Sequence, residues 1–215
     1  MLVKVFDGLT AFIWEDYTQN NCNSFFIDSS KKILIDPGHA HLFGHVKKGL
    51  DMLGTAPDGI DIALVTHGHP DHLEAVSLLK SPTRFTMSLV DYDYIVELAG
   101  KYYKIPEPDF FLKAGELVLG DDRFEVIETP GHTPGSISLY WPEKKALFTG
   151  DLVFPQGIGR TDLPGGSGEQ LKQSIKKIMD LDVEYVLSGH GGVIAGAEAV
   201  RENYRLIESH WFRYL

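Results

Sequence analysis

Residues 66–72 read THGHPDH and place three histidines and one aspartate within six positions. The whole chain of 215 residues contains nine histidines, so a third of them lie in this one stretch. Imidazole binds zinc, copper, iron and nickel, and carboxylates share many such sites. The stretch therefore indicates a metal site, and the pattern that surrounds it determines which fold we predict.

The motif lies where a predicted strand gives way to a predicted helix. Residues 61–67, DIALVTH, form a nearly continuous apolar run, which is typical of a strand buried on both faces. Pro70 suits the first turn of a helix, which we predict over residues 71–80. The four ligand-type residues are thus expected at the end of a strand and the beginning of a helix.

This placement predicts how the four side chains point. In extended backbone, residues two apart point to the same side, so we expect His67 and His69 to hold one ion together. Asp71 and His72 begin the helix and point in other directions. A second ion close to the first is therefore compatible with the motif.

Three more residues of metal-ligand type directly follow a glycine at the end of a predicted strand. They are His132, Asp151 and His190. Ligand sites in α/β proteins gather at such strand ends. Together with the first cluster they make five histidines and two aspartates, enough for two metal ions that share a carboxylate.

Strands and helices alternate along the rest of the chain. Predicted strands cover residues 2–6, 10–14, 24–28, 32–36, 61–67, 84–89, 115–120, 123–130, 136–141, 145–150 and 184–189. Predicted helices cover residues 41–53, 71–80, 91–100, 169–181 and 197–212. Each half begins with strands and continues with strand–helix alternation, which predicts an α/β fold with helices covering the sheets. We predict one domain over residues 1–215, with a surface loop at 101–115.

Composition narrows the class of protein. A formal net charge of −10 argues against nucleic acid as a partner, because binding polyanions needs a basic surface. The one cysteine, Cys22, is expected to be a small buried residue, and it cannot form an internal disulfide. The sequence lacks an apolar run of the roughly 18–20 residues that span a bilayer, and its start is unlike a signal peptide. We therefore expect a cytoplasmic protein that does not bind membranes.

The ligand pattern resembles that of the metallo-β-lactamase superfamily. The resemblance rests on His67-x-His69-x-Asp71-His72, then His132, Asp151 and His190, with Asp36-Pro37-Gly38 at the family's usual early position. It implies a four-layer αβ/βα sandwich, in which two β-sheets are flanked by helices. An acidic residue in place of His69 would resemble the flavodiiron branch, so the histidine argues against that branch.

The resemblance also implies how the ligands divide between two divalent ions, zinc first, with iron or manganese as alternatives. It assigns the first ion to His67, His69 and His132, the second to Asp71, His72 and His190, and the bridging position to Asp151. A hydroxide held between the ions would attack a substrate carbonyl. Asp71 would orient this nucleophile or relay its proton.

Residues 157–167, GIGRTDLPGGS, are similar to the segment after the bridging aspartate in glyoxalase II-like thioesterases and in persulfide dioxygenases. Arg160 and Asp162 are candidate catalytic residues in this segment. One interpretation is an ion pair that holds the loop. The other is a role beneath the metal site or in contact with an anionic substrate.

The implied function is hydrolysis of a small anionic thioester such as S-D-lactoylglutathione, in the manner of short single-domain glyoxalase II-like enzymes. The C-terminal helical domain with which full-length glyoxalase II binds glutathione is not expected here, since some 25 residues follow Gly192. The alternative is a persulfide dioxygenase with one iron on His67, His132 and Asp151. Lactonase, β-lactamase and phosphodiesterase activities also stay open, because one fold hosts many functions.

Two features lie outside the family's ligand pattern. His39, His41 and His45 form a second histidine cluster without a carboxylate partner in that pattern. We interpret it as the surface at the start of a helix, with narrowing of the site's mouth as the alternative. The aromatic C-terminal stretch 210–215 is expected to pack on the sandwich, or to form a homo-oligomer interface.

Overall fold

Two β-sheets lie face to face in the computed structural model, which describes residues 1–102 and 104–215. The first sheet contains β1 Leu2–Phe6, β2 Leu9–Phe12, β3 Ser24–Asp28, β4 Lys32–Ile35, β5 Ile62–Leu64, β6 Arg84–Ser88 and β7 Phe110–Leu112. These strands lie side by side in chain order. They pair antiparallel from β1 to β4 and parallel from β4 to β7.

The second half of the chain forms the other sheet. Its strands are β8 Gly115–Leu119, β9 Asp122–Glu128, β10 Ile137–Trp141, β11 Ala146–Gly150, β14 Tyr185–Ser188 and β15 Ile194–Ala195. Between β11 and β14, the strands β12 Val153–Phe154 and β13 Gly157–Ile158 form a separate hairpin. The order across the sheet is β15-β14-β11-β10-β9-β8. Strands β11 and β14 pair in parallel, so their carboxyl ends meet at one edge.

Helices cover both outer faces. They are α1 Gly44–Met52, α2 Pro70–Leu73, α3 Leu89–Ala99, α4 Gly168–Met179 and α5 Ala197–His210, with 3-10 helices at Ala40–Leu42, Pro57–Gly59, Glu74–Leu78 and Pro142–Lys144. Ser167 caps α4, since its side chain accepts a hydrogen bond from the amide of Gln170. Within the described residues, no helix has both the length and the apolar character that crossing a membrane requires.

Alternation along the strands divides the core into layers. Phe25 and Ile27 point between the sheets, whereas Phe26 points outward into the cluster under α1. In the second sheet, Trp141 points between the sheets and Tyr140 faces the cluster under α4 and α5. Each buried large side chain contributes roughly 1.5–3 kcal/mol. The resulting order, helices, sheet, sheet, helices, confirms the predicted four-layer αβ/βα sandwich.

Two predicted elements beside the histidine motif are shorter than expected. The strand predicted over residues 61–67 ends at Leu64, although the amide of Val65 still donates to the carbonyl oxygen of Thr86 at 3.0 Å. The helix predicted over 71–80 is α2 followed by a 3-10 helix. The reason is that the amide of Ala75 donates to the carbonyl oxygen of Gly38, at 2.8 Å, instead of continuing the helix.

The loop predicted at residues 101–115 contains a strand. Strand β7 pairs in parallel with β6 and completes the first sheet, so the loop prediction was wrong there. Part of that prediction falls on Tyr103, which lies outside the described residues. Strands β12, β13 and β15 were also missed, because two residues are too few to show an alternating pattern.

Candidate metal centre

All seven predicted ligands lie at one edge of the sandwich, where strands of both sheets end. We call this set of seven residues, His67, His69, Asp71, His72, His132, Asp151 and His190, the candidate metal centre. Backbone hydrogen bonds tie the two sheets together at this edge. The amide of Ile137 donates to the carbonyl oxygen of Thr66 at 3.0 Å, and the amide of Asn23 to that of Gly189 at 2.6 Å.

Three imidazoles form the first group of ligands. Ligand atoms of His67, His69 and His132 all lie within 4.8 Å of one another. The Nε2 atom of His132 lies 2.8 Å from Nδ1 of His69, and the ring centroids of His67 and His69 lie 4.9 Å apart. We predicted that an extended strand would bring His67 and His69 to the same side. Strand β5 ends at Leu64, so both residues lie in the loop that follows it, and their rings converge there.

The second group is Asp71, His72 and His190, whose ligand atoms also lie within 4.8 Å of one another. The Nε2 atom of His190 lies 3.4 Å from Oδ2 of Asp71. Asp71 is held from the other side by Asn20, whose Nδ2 donates to Oδ2 at 2.8 Å. Sequence reasoning assigned no role to Asn20, which lies 51 residues before Asp71 in the chain.

Asp151 lies between the two groups. Its Oδ1 atom is 3.3 Å from Nε2 of His72, and its Oδ2 atom is 3.3 Å from Nε2 of His190. The same Oδ2 atom lies 3.5 Å from Nε2 of His132 in the first group. The carboxylate of Asp151 therefore faces both groups at once.

Unsatisfied polar atoms show that these residues fit metal ions. The buried atoms His67 Nε2, His72 Nε2 and Asp151 Oδ1 make no hydrogen bond of acceptable geometry within the part of the chain that the structure describes, although the last two lie 3.3 Å apart. Buried polar atoms are almost always paired, so these three are oriented toward a ligand of another kind. Five imidazoles and two carboxylates suit zinc or iron.

Burial keeps the first group ready to bind a cation. Desolvation, with the neighbouring imidazoles, holds the pKa of His67 well below its usual value. The same causes lower the pKa of His69 to about 4. Both rings are therefore neutral near pH 7, and their lone pairs are available to a metal.

The second group carries balanced charges. Burial lowers the pKa of His190, but the carboxylates of Asp151 and Asp71 outweigh it and raise the pKa to about 9. Burial raises the pKa of Asp71, but the hydrogen bond from His190 and the charge of His72 outweigh it and lower the pKa to about 2. A cation that binds to this group must therefore displace protons.

A buried carboxylate beneath the site orients one ligand. Asp36 follows β4 and is 1% exposed. Its Oδ2 atom lies 2.9 Å from Nδ1 of His72 and accepts a hydrogen bond from the hydroxyl of Thr66 at 2.8 Å. Its Oδ1 atom accepts a hydrogen bond from the amide of Thr66, also at 2.8 Å. This arrangement fixes the ring of His72 so that Nε2 points into the site. The sequence placed Asp36 in an early motif but gave it no contact with His72.

Asp91 on α3 holds the two loops that carry the first group. Its carboxylate accepts hydrogen bonds from the amide of Gly68, between His67 and His69, and from the amide of Gly135 at 2.9 Å. The side chain is fully buried, and burial raises its pKa. Sequence reasoning missed Asp91, since a polar residue on a helix gives no local sign of such distant contacts.

We expect Asp91→Asn to weaken metal binding by the first group roughly 10–100-fold, the usual effect of losing a residue that orients metal ligands. An asparagine keeps one acceptor oxygen, and its NH2 group would face a backbone N–H. Metal affinity, measured by competition with a chelator, tests this. The matched control is Asp93→Asn, an exposed residue on the same helix. Equal affinities in the two variants would contradict the role of Asp91.

A cavity of about 500 Å³ opens above the candidate metal centre. Its lining consists of Asn20, His39, His69, Pro70, Asp71, His132, Asp151, Phe154, Ile158, Arg160, Leu163 and His190. One wall is apolar, formed by Phe154, Ile158 and Leu163. Among the described residues of the lining, Arg160 is the only lysine or arginine.

Arg160 lines the cavity and contacts the site through its backbone. Its carbonyl oxygen lies 2.8 Å from Nδ1 of His132, which sets the orientation of that ring. Its guanidinium forms two hydrogen bonds with Asp162, at 2.8 and 2.7 Å. Asp162 is exposed and does not belong to the lining, and the hydrogen bond from Arg160 lowers its pKa to about 2.

The second histidine cluster is only partly a surface feature. His41 is exposed as predicted, but His39 is half-buried and lines the cavity, which corrects the surface interpretation for that residue. His45 is also half-buried, with its ring 4.9 Å from that of Trp14. Cys22 is fully buried, as predicted.

Comparison with known proteins gives one family match. The sequence pattern described as the Metallo-beta-lactamase superfamily matches residues 17–190. The hydroxyacylglutathione hydrolase GloC of Haemophilus influenzae is 32% identical over 202 residues, which cover 86% of this chain and 92% of that protein. The hydroxyacylglutathione hydrolase of Brucella anthropi is 36% identical over 147 residues, 68% of this chain and 50% of that longer protein.

Solved structures agree with the sequence comparison. The protein TTHA1623, crystallised in a di-iron-bound form, superposes with a TM-score of 0.71 and 28% identity. The superposition covers 90% of this chain and 95% of that one. The match therefore includes both sheets and the edge at which the candidate metal centre lies.

Proposed function

Because the chain belongs to the metallo-β-lactamase superfamily, we propose that it is a hydrolase that cleaves thioesters at a centre of two divalent metal ions. The observation that carries the proposal is the position of Asp151, whose carboxylate faces both groups of ligands. The relative from Haemophilus influenzae is named for hydrolysis of hydroxyacylglutathione. S-D-lactoylglutathione is therefore our first candidate substrate.

The ligands divide between the ions as the two groups divide in space. We assign the first ion to His67, His69 and His132, the second to Asp71, His72 and His190, and the bridging position to Asp151. Zinc is our first choice of metal, because imidazoles dominate both groups. Iron is the main alternative, since TTHA1623 was crystallised with two iron ions, and manganese is a further one.

The chain's own residues explain how such a centre would act on an ester carbonyl. Two bound divalent ions would supply a hydroxide at neutral pH and polarise the carbonyl. Asp71 stays ionised, and the hydrogen bond from Asn20 fixes its carboxylate, so it is placed to orient the nucleophile and accept its proton. A thiolate leaves readily, so a strong acid for the leaving group is not required.

The cavity favours a substrate with an apolar part and one negative charge. Phe154, Ile158 and Leu163 offer an apolar wall, and the guanidinium of Arg160 offers a contact for one carboxylate. We propose that Asp162 holds this guanidinium in place. Arg201 is not assigned this role, since its guanidinium pairs with the carboxylate of Glu198 on α5. Other charges of a glutathione thioester would remain in solvent.

Hydrolysis of S-D-lactoylglutathione by protein whose metals have been counted tests the function. We expect about two divalent ions per chain and efficient release of glutathione. Activity should disappear when a chelator removes the metals and return when zinc is added. A thioester of a simpler thiol, assayed in parallel, shows whether the carrier contributes to binding.

Two results would replace the proposal. One iron per chain, with oxygen uptake from a glutathione persulfide, would identify a dioxygenase instead. Two ions per chain without turnover of any thioester would leave a lactone, a β-lactam or a phosphodiester as the substrate.

Four further expectations from the sequence remain predictions. They are a single domain over residues 1–215, a homo-oligomer, a cytoplasmic location and the lack of nucleic-acid binding.

A further inference from the structure

A second set of metal-ligand side chains lies beside the cavity, which one of its members lines, and outside the candidate metal centre. It consists of His39, His41 and Glu74, whose ligand atoms all lie within 4.8 Å of one another. The Nδ1 atom of His39 lies 2.8 Å from Oε2 of Glu74, and the two imidazole rings lie 5.0 Å apart. We propose that these three residues, the mouth site, bind a further divalent transition-metal ion that inhibits the enzyme.

Backbone hydrogen bonds hold together the two segments that carry the mouth site. The amide of Ala75 donates to the carbonyl oxygen of Gly38 at 2.8 Å, and the amide of Gly38 donates to that of His72 at 3.2 Å. His39 directly follows Gly38, and Glu74 directly precedes Ala75. The imidazole and the carboxylate are therefore brought together by the fold, and binding an ion requires no rearrangement of the backbone.

The geometry suits a small transition-metal ion. Zinc binds imidazole nitrogen at about 2.0–2.1 Å and carboxylate oxygen at about 2.0–2.2 Å, which places neighbouring ligand atoms roughly 3.3 Å apart. The contact between His39 and Glu74 needs to lengthen only slightly to reach this spacing. His41 is exposed, so its side chain can rotate to supply the third ligand. Two imidazoles favour zinc, copper or nickel over magnesium or calcium.

The environment favours a cation that exchanges with solvent. The side chains of His39 and Glu74 are 18% and 30% exposed, so part of their desolvation cost is already met by the fold. The chain carries a formal net charge of −10, which attracts cations to its surface. Three protein ligands leave at least one coordination position open to water, unlike the four ligands of a closed structural zinc site.

Inhibition follows from the place of His39 in the cavity. The residue lines the same cavity as His69 and Asp71. An ion bound to His39 would fix its ring and add bulk to the wall of the cavity that a substrate must occupy. This part of the inference rests on the proposed hydrolase function, whereas binding of the ion does not.

Counting bound zinc tests the mouth site directly. Wild-type protein, His41→Ala and His210→Ala are dialysed against increasing concentrations of buffered zinc, and the metal per chain is measured. His210 is an exposed histidine at the end of α5 and serves as the matched control. We expect the wild type and His210→Ala to bind one more ion per chain than His41→Ala. Equal binding by the wild type and His41→Ala would overturn the site.

The difference between these proteins does not depend on whether the candidate metal centre holds two ions or one. Thioester hydrolysis at rising zinc concentration then tests inhibition. We expect excess zinc to slow the wild type and His210→Ala but not His41→Ala. Inhibition that persists in His41→Ala would overturn the inhibitory role. A total lack of thioester turnover would count against the proposed function, while dialysis still decides the mouth site.

Discussion

Replacement of Asp151 by alanine is expected to abolish thioester hydrolysis and to remove at least one metal ion per chain. The loss of activity should exceed the roughly 100-fold that follows from losing a residue which only orients a ligand. The physical reason is the position of the carboxylate, which faces His72, His190 and His132 at 3.3–3.5 Å. Without this negative charge, nothing at the bridging position would offset the repulsion between two cations bound by the neighbouring groups of ligands.

Metal content and hydrolysis rate, measured on the same preparations, check this expectation. His72→Ala should behave similarly, because it removes a ligand of the second ion while the first group stays intact. The control is Asp58→Asn, an exposed carboxylate in the 3-10 helix Pro57–Gly59, which should keep full metal content and rate. Turnover retained in both Asp151→Ala and His72→Ala would rule out a mechanism with two metals.

The seven residues of the candidate metal centre could be found from the sequence because each carries a local signal. His67, His69, Asp71 and His72 lie within one short motif, and imidazole and carboxylate are informative wherever they cluster. His132, Asp151 and His190 each follow a glycine at a strand end, where parallel strands deliver side chains to a common edge. The structure brings these seven side chains together at one edge of the sandwich, and their role as metal ligands remains a prediction.

The residues that support the ligands could not be found in the same way. Asp91 contacts Gly68 and Gly135, 23 and 44 residues away along the chain, and Asn20 contacts Asp71 across 51 residues. Such contacts depend on how helices and loops dock, which hydrophobic periodicity does not report. The carboxylate partner of His39 was missed for the same reason, since Glu74 is brought to it only by tertiary packing.

The layers were more predictable than the ends of the elements. Alternation such as Phe25, Phe26 and Ile27 places side chains on two faces of a strand and so requires cover on both. The strand predicted over residues 61–67 is too long because Val65, Thr66 and His67 continue the buried run after strand β5 ends at Leu64. Residues 65–67 are buried beside the candidate metal centre and not within the sheet, and the sequence does not separate these two causes of burial.

The second large effect is expected for Asp36→Ala, which should destabilise the metal-free protein by about 3–5 kcal/mol, the usual cost of removing one partner from a buried charged pair. Asp36 accepts hydrogen bonds from the amide and hydroxyl of Thr66 and lies 2.9 Å from Nδ1 of His72. Alanine would leave these donors without an acceptor in a region closed to water. Urea unfolding of metal-free protein measures the loss separately from any change in metal binding.

The matched control is Asp28→Ala, which removes an exposed aspartate at the end of β3 and its ion pair with Lys32. Surface pairs contribute about 0–1 kcal/mol, so this variant should stay close to the wild type. The metal-loaded form of Asp36→Ala should also bind the second ion more weakly, because nothing would fix the ring of His72. Equal unfolding midpoints for the two variants would mean that Asp36 does not hold the edge of the sandwich together. The orientation of His72 would then have to come from the metal ion itself.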